Sequence, residues 1–182
     1  DGDIAGALLV AGAAPDLTHF ASRGVFAGSV FDLWVDEDGN GEVDLDGAAT
    51  LSIERLDPAA TTLVLDTNDL DIRAVEAGDG AAWSPAPFTL GIDDPVLGSK
   101  LEIALPEGAT AVKIAYRTSP GAEALQWVSP EQTAGKTRPF MYSQNQSINA
   151  RAMAPVQDTP AVRMTYSAIV RTPTDLRAVM SA

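Results

Sequence analysis

The chain consists of short apolar segments that alternate with clusters of glycine, proline, aspartate and asparagine. Its 182 residues include 15 glycines and 12 prolines, and 46% of the residues are hydrophobic. Short apolar runs between turn-forming residues are typical of β-strands joined by tight connections. A chain of this length can bury one sizeable hydrophobic core. The sequence therefore predicts a single folded unit of the all-β class.

Several segments alternate between apolar and polar residues, as a strand with one buried face does. Strands are predicted at residues 30–35, 43–56, 61–75, 100–105, 110–118 and 161–173, with short ones around Trp83 and Phe88. The first two form a hairpin through the turn-forming residues DEDGNGE, and the third bends or divides between Asp66 and Asp69. Residues 118–160 show little periodicity, so functional residues are expected in this segment more than core residues are.

The charge and the missing residue types exclude several classes of function. A net charge of −13, from 25 acidic and 12 basic residues, repels nucleic acids and anionic membrane surfaces. The chain has no cysteine and only one histidine, His19, so it cannot form a disulfide, a thiol nucleophile or an HExxH zinc motif. A serine-histidine-aspartate triad is compositionally possible, but no GxSxG context surrounds any serine. We therefore assign no catalytic residue to this chain.

The N-terminal region allows two interpretations. Residues 5–15, AGALLVAGAAP, have the apolar stretch and small-residue exit of a signal peptide, but acidic residues precede them where basic ones are expected. The alternative is an ordinary N-terminal arm or first strand. The stretch is too short to span a bilayer, and the compartment, whether cytoplasmic or periplasmic and secreted, stays open.

An acidic loop has part of the spacing of a calcium-binding loop. Asp36, Asp38, Asn40 and Asp44 supply oxygens at the first, third, fifth and ninth positions. The twelfth position, where a bidentate carboxylate is expected, is Gly47. A simple hairpin turn is the alternative to a weak calcium site.

Large aromatic side chains usually fill the core of a β protein of this size. The tryptophans are therefore expected in the core, namely Trp34, Trp83 and Trp127.

The irregular segment carries a specific family resemblance. It contains, in order, the motifs ALQW, PEQTAGK, PF, SQNQ and PVQDTP, and TYSAIV follows. This series resembles the N-terminal domain of zinc aminopeptidases of the aminopeptidase N and leukotriene hydrolase family, gluzincin metallopeptidases, and is most similar to the leukotriene hydrolase and aminopeptidase B branch. LVLDTNDLDI and GAATLSIE fit the same family. The resemblance extends over residues 19–182 and is strong after Thr61.

The resemblance implies a fold for this chain and a separate catalytic domain in the parent protein. In that family the domain is a saddle-like or sandwich-type assembly of mixed β-sheets that forms one wall of the active-site cleft. Residues 1–18 are then an arm or signal remnant, and residues 19–182 are the β-domain, incomplete at its C-terminal end and with one sheet edge exposed. The zinc ligands belong to a downstream catalytic domain, so zinc is expected in the parent protein and not in this chain.

The resemblance also implies substrate-binding residues in the SQNQ element. Gln146, with Gln144 beside it, matches the family position that binds the amino end of the substrate, and Tyr142 and Ser147 flank the two glutamines. The alternative is that these glutamines only satisfy backbone groups in a buried loop. A second set of residues is expected to brace the loop by hydrogen bonds, namely Arg151, Gln157 and Asp158.

The resemblance thus implies a parent protein that hydrolyses N-terminal residues from peptides, with an epoxide hydrolase side activity left open. One alternative is a stand-alone extracellular β-sandwich that binds calcium. Another is a catalytically inactive homologue that keeps the scaffold for protein interactions. An HExxH motif in the gene beyond Ala182 would separate the last possibility from the first.

Overall fold

The computed structural model describes residues 29–35, 44–146, 148–174 and 176–179. Nearly all regular structure in them is β-strand, which confirms the all-β prediction. The strands are β1 (Ser29–Val35), β2 (Leu45–Ser52), β3 (Thr62–Thr67), β4 (Leu70–Gly78), β5 (Trp83–Pro85), β6 (Phe88–Leu90), β7 (Ser99–Ala104), β8 (Ala111–Thr118), β9 (Leu125–Val128), β10 (Phe140–Ser143) and β11 (Tyr166–Arg171). Single 3₁₀ turns lie at Pro130–Gln132 and Ala150–Ala152. No helix in the described part is long and apolar enough to cross a membrane.

The strands form three sheets. A six-stranded sheet has the order β11-β1-β2-β8-β4-β5, a three-stranded sheet has the order β3-β7-β6, and β9 and β10 form a hairpin. The large sheet is mixed, because β11 runs parallel to β1 while its other pairs are antiparallel. The predicted pairing of the first two strands is confirmed, although the turn between them lies outside the described residues.

The predicted bend between Asp66 and Asp69 is a change of sheet. β3 pairs with β7 in the three-stranded sheet, whereas β4 pairs with β8 in the large one. Asp69 adopts a φ of 53°, a left-handed conformation that aspartate tolerates better than most residues do. The chain therefore turns from one sheet into the other within two residues, which places the end of β3 beside the segment that follows β10.

The core lies on the buried faces of the sheets and follows the strand period. β1 alternates buried and half-buried residues along its length, as does β2. Fully buried side chains from different sheets meet there, among them Leu51, Leu65, Leu101 and Tyr116. Burial of side chains of this size contributes about 1.5–3 kcal/mol each to folding.

Three expectations from the sequence need correction. The last strand covers only Tyr166–Arg171 and not the whole of 161–173. The irregular segment contains the β9–β10 hairpin. All three tryptophans are half-buried, and only Trp127 packs against the core. Trp34 stands on the outer face of β1 with the Arg171 guanidinium 4.2 Å from its ring. Because neighbouring residues of a strand face opposite sides, the burial of Phe31, Leu33 and Val35 excludes Trp34 from the core.

Candidate functional site

Three residues that the sequence predicts for substrate binding belong to a row of alternately exposed residues that begins at Phe140, namely Tyr142, Gln144 and Gln146. From Phe140 to Gln146 the residues alternate between exposed and half-buried, so Phe140, Tyr142, Gln144 and Gln146 are all exposed. Met141, between the two aromatic residues, packs against the core. Side chains two residues apart in extended chain point to the same side. Phe140 and Tyr142 therefore share one face of β10, with Met141 packed behind them, and the exposed Gln144 and Gln146 continue the row beyond the end of the strand.

The two glutamines are held through their backbones. The Gln144 N–H donates to the carbonyl of Ala124 at 2.9 Å, and the Gln146 carbonyl accepts from the Asn149 N–H at 3.0 Å. Within the described part of the chain, neither side-chain amide forms a hydrogen bond with the protein. Both residues are exposed, whereas the alternative in which they satisfy buried backbone groups requires them to be buried.

Tyr142 and Phe140 form the aromatic end of the row. Their rings are stacked with centroids 6.2 Å apart and an angle of 29° between the planes. The Tyr142 hydroxyl donates to the side-chain oxygen of Gln126, its partner across the hairpin. Both rings have apolar faces in contact with solvent, a composition suited to apolar side chains of a ligand. Ser147, the remaining predicted contact residue, lies outside the described residues.

Arg151 ties the segment after the glutamines to the rest of the domain. Its side chain is buried, and its guanidinium donates to the Leu97 carbonyl at 2.6 Å, to the Asp158 carboxylate at 3.2 Å and to the Asp158 carbonyl at 3.1 Å. The Arg151 carbonyl in turn accepts from the Asn68 N–H at 2.9 Å. The expected bracing role of this arginine is confirmed by these contacts.

Asp158 and Gln157 extend the same brace to β3. The Asp158 N–H donates to the Asp66 carboxylate at 2.9 Å, and the Gln157 amide donates to the Val64 carbonyl at 3.2 Å. Val156 and Asp66 also exchange backbone hydrogen bonds of 2.7 and 3.2 Å. No pattern in the sequence joins Asp66 to this network, because Asp66 has the features of a residue at a bend. Its place in the LVLDTNDLDI match was the one available signal.

The proposed calcium ligands receive no support from the described part of the chain. Asp44 is fully buried and its carboxylate accepts hydrogen bonds from Arg117. Asp36, Asp38 and Asn40 lie outside the described residues. No cluster of three or more metal-ligating histidine, cysteine, aspartate or glutamate side chains occurs among the residues that are described. The calcium site stays a prediction.

A known family matches this chain over most of its length. The model of the peptidase M1 N-terminal domain matches residues 31–181. The chain belongs to this family. The resemblance inferred from the SQNQ and PVQDTP motifs is thereby confirmed, and the mixed β-sheets agree with the fold that it implied.

Individual relatives agree with this assignment. Leukotriene A-4 hydrolase of Xenopus laevis is 40% identical over 140 residues, which cover 74% of this chain and 22% of that protein. Leucine aminopeptidase 2 of Yarrowia lipolytica is 41% identical over 136 residues, which cover 73% of this chain and 19% of that protein. The chain thus spans about a fifth of the length of these relatives.

Solved structures show the same fold. Native leukotriene A4 hydrolase from Saccharomyces cerevisiae superposes with a TM-score of 0.74 at 28% identity, over 88% of this chain and 26% of that one. An M1 zinc metallopeptidase from Deinococcus radiodurans superposes with a TM-score of 0.61 at 21% identity, over 83% of this chain and 33% of that one. The second likeness concerns the fold alone.

Proposed function

We propose that residues 19–182 are the non-catalytic N-terminal domain of a zinc metallo-aminopeptidase and form one wall of its active-site cleft. In this proposal Gln146 binds the amino end of the peptide substrate. The observation that supports it is an exposed Gln146 amide, held by a braced segment, in a chain of the M1 N-terminal family. A hydrolytic domain elsewhere in the parent protein supplies the catalysis, and this domain defines where the substrate begins.

The chemistry of an amide suits this task. The side-chain oxygen of glutamine accepts a hydrogen bond from an α-ammonium group. An amide carries no charge, so carboxylates from the catalytic domain must supply the electrostatic part of ammonium recognition. Fixing the ammonium group positions the first peptide bond at the hydrolytic centre, because productive geometry depends on holding the reacting atoms in place.

We propose that this chain contributes no ligand to the zinc site of the parent protein. The sequence contains one histidine and no cysteine, and the described residues hold no cluster of metal-ligating side chains. Tetrahedral catalytic zinc sites need three protein ligands from histidine, cysteine, aspartate or glutamate. The metal of the parent protein is therefore proposed to lie entirely in the catalytic domain, and no step of zinc chemistry is assigned to these residues.

The test is substitution of Gln146 by alanine in a protein that carries this chain and its catalytic domain. Loss of a hydrogen bond to a charged group costs about 1.5–3 kcal/mol, so kcat/KM for a fluorogenic leucine amide should fall about 10- to 150-fold. Gln132→Ala is the matched control, because Gln132 is also exposed but lies on the 3₁₀ turn between β9 and β10. It should leave kcat/KM within about 2-fold of the original value.

A substrate without an α-amino group makes this test specific. For the 4-methylpentanoyl amide, which lacks only the amine of leucine, Gln146→Ala should change kcat/KM by less than about 2-fold, since the proposed contact is missing from both complexes. An equal loss on both substrates would assign Gln146 a structural role. Unchanged hydrolysis of the leucine substrate by Gln146→Ala would remove the residue from the mechanism.

Epoxide hydrolysis is a second activity proposed for the parent protein. The observation that favours it is the 40% identity with the leukotriene A-4 hydrolase of Xenopus laevis over 140 residues. The test is to incubate the parent protein with leukotriene A4 and quantify the dihydroxy acid by mass spectrometry. Product formation no faster than in buffer would limit the parent to peptides.

A further inference from the structure

The buried guanidinium of Arg151 joins three separate segments of the domain. It reaches the Leu97 carbonyl in the loop between β6 and β7, both the carboxylate and the carbonyl of Asp158, and lies 3.8 Å from the Asp66 carboxylate of β3. Only 5% of Arg151 is exposed. A buried charge is tolerated when its hydrogen-bonding groups find partners, and here the acceptors are Leu97 and Asp158.

Two backbone hydrogen bonds link Gln146 to the residues around Arg151. The Gln146 carbonyl accepts from the Asn149 N–H at 3.0 Å, and the Asn149 carbonyl accepts from the Ala152 N–H at 3.0 Å. The second of these turns ends at Ala152 and contains Arg151, whose carbonyl accepts from the Asn68 N–H at 2.9 Å. A displacement of Arg151 is therefore transmitted to the backbone of Gln146.

The geometry at this position requires arginine. A guanidinium presents its donors in a planar fork, so it can bind acceptors in different directions at once. A lysine ammonium is a single point of charge on a flexible stem and cannot reach the Leu97 carbonyl and both Asp158 oxygens together. Substitution by lysine thus preserves the charge but cannot keep the hydrogen bonds to the Leu97 carbonyl and to Asp158 at the same time.

We infer that Arg151 is a positioning residue for substrate binding: it fixes the turn after Gln146 against β3 and the loop between β6 and β7, and thereby sets the direction of the Gln146 amide. This inference rests on the proposed function of Gln146. It adds that the precision of amine recognition is determined by a buried cation that does not touch the substrate.

The first experiment measures local opening in the 182-residue chain by native-state hydrogen exchange. Arg151→Lys should accelerate exchange at the Asn68 amide by about 10-fold or more relative to the Ile53 amide, which donates to the Thr110 carbonyl at 2.8 Å just beyond the ends of β2 and β8. Arg117→Lys, which alters another ion-paired arginine, is the control and should leave this ratio unchanged. Asp158→Asn should reproduce the effect without altering Arg151, and serves if Arg151→Lys fails to fold.

The second experiment is a double-mutant cycle in the protein that contains the catalytic domain. Arg151→Lys should lower kcat/KM for the leucine substrate by about 10-fold or more, yet by less than about 2-fold in the Gln146→Ala background, because the residue acts through Gln146. Equal losses in both backgrounds, or an unchanged Asn68 ratio, would overturn the positioning role. If Gln146→Ala has no effect on its own, the proposed function fails instead, and the two failures are distinguishable.

Discussion

Gly98 allows the loop between β6 and β7 to lie against the end of β3. Its φ is +67°, and a Cβ at this position would stand 2.1 Å from the Thr67 carbonyl oxygen and 3.0 Å from the Asn68 Cα. Gly98→Ala therefore has two costs. The left-handed backbone costs about 1–2 kcal/mol for a residue with a Cβ, and separation of the overlapping backbones costs about 1–3 kcal/mol more.

Gly108 provides the matched control for this substitution. Its φ is +76°, but a Cβ there meets nothing within 4 Å, so Gly108→Ala has only the backbone cost. Denaturant unfolding should show that Gly98→Ala is less stable than Gly108→Ala by about 1–3 kcal/mol. In thermal unfolding this difference corresponds to about 2–4 °C for each kcal/mol in a domain of this size. Equal losses in the two variants would refute the role of close approach at Gly98.

Two further substitutions test the core and the same loop. The Tyr116 hydroxyl is fully buried and has no hydrogen-bond partner among the described residues, and burial raises the pKa of Tyr116 above its usual range. Tyr116→Phe should therefore be neutral or should stabilise the fold by up to about 1 kcal/mol in denaturant unfolding. A clear loss of stability would reveal a bonded hydroxyl. The N–H groups of Leu97 and then Val96 lower the pKa of Asp94. The contribution of the Asp94 carboxylate to the free energy of unfolding is present above the unfolded pKa of about 4 and is lost as the pH falls through the lower folded pKa. The difference in free energy of unfolding between the original chain and Asp94→Ala should therefore narrow below about pH 4. A pH-independent difference would exclude this linkage.

The individual strands could be predicted from the sequence because burial of one face leaves a period of two. β1 and β8 lie where alternation places them, β2 covers only Leu45–Ser52 of the predicted residues 43–56, and the short strands at Trp83 and Phe88 are also present. The last strand was predicted too long, since alternation from residue 161 continues through irregular chain before β11 begins at Tyr166. Periodicity reports which residues are buried, and it does not report whether a neighbouring strand is there to bind the backbone.

The candidate site could be located through its motifs, but the hydrogen-bond partners that hold it in place could not. Gln144 and Gln146 were identified from the SQNQ element, and Arg151 and Asp158 from the run that follows. The Leu97 carbonyl and the Asp66 carboxylate, which complete the brace, come from positions 54 and 85 residues before Arg151 in the chain. A carbonyl has no side-chain signature, and Asp66 resembles any other turn aspartate in the sequence.

The sequence by itself therefore determined the all-β class, the positions of most strands and the family, because local alternation and ordered motifs are written along the chain. The tertiary structure alone decided that β3 and β4 enter different sheets, that β11 joins β1 in parallel, and that Trp34 pairs with Arg171 on an outer face. These outcomes depend on contacts between residues far apart in sequence. Such contacts are selected by the packing of whole sheets against one core, which no local pattern encodes.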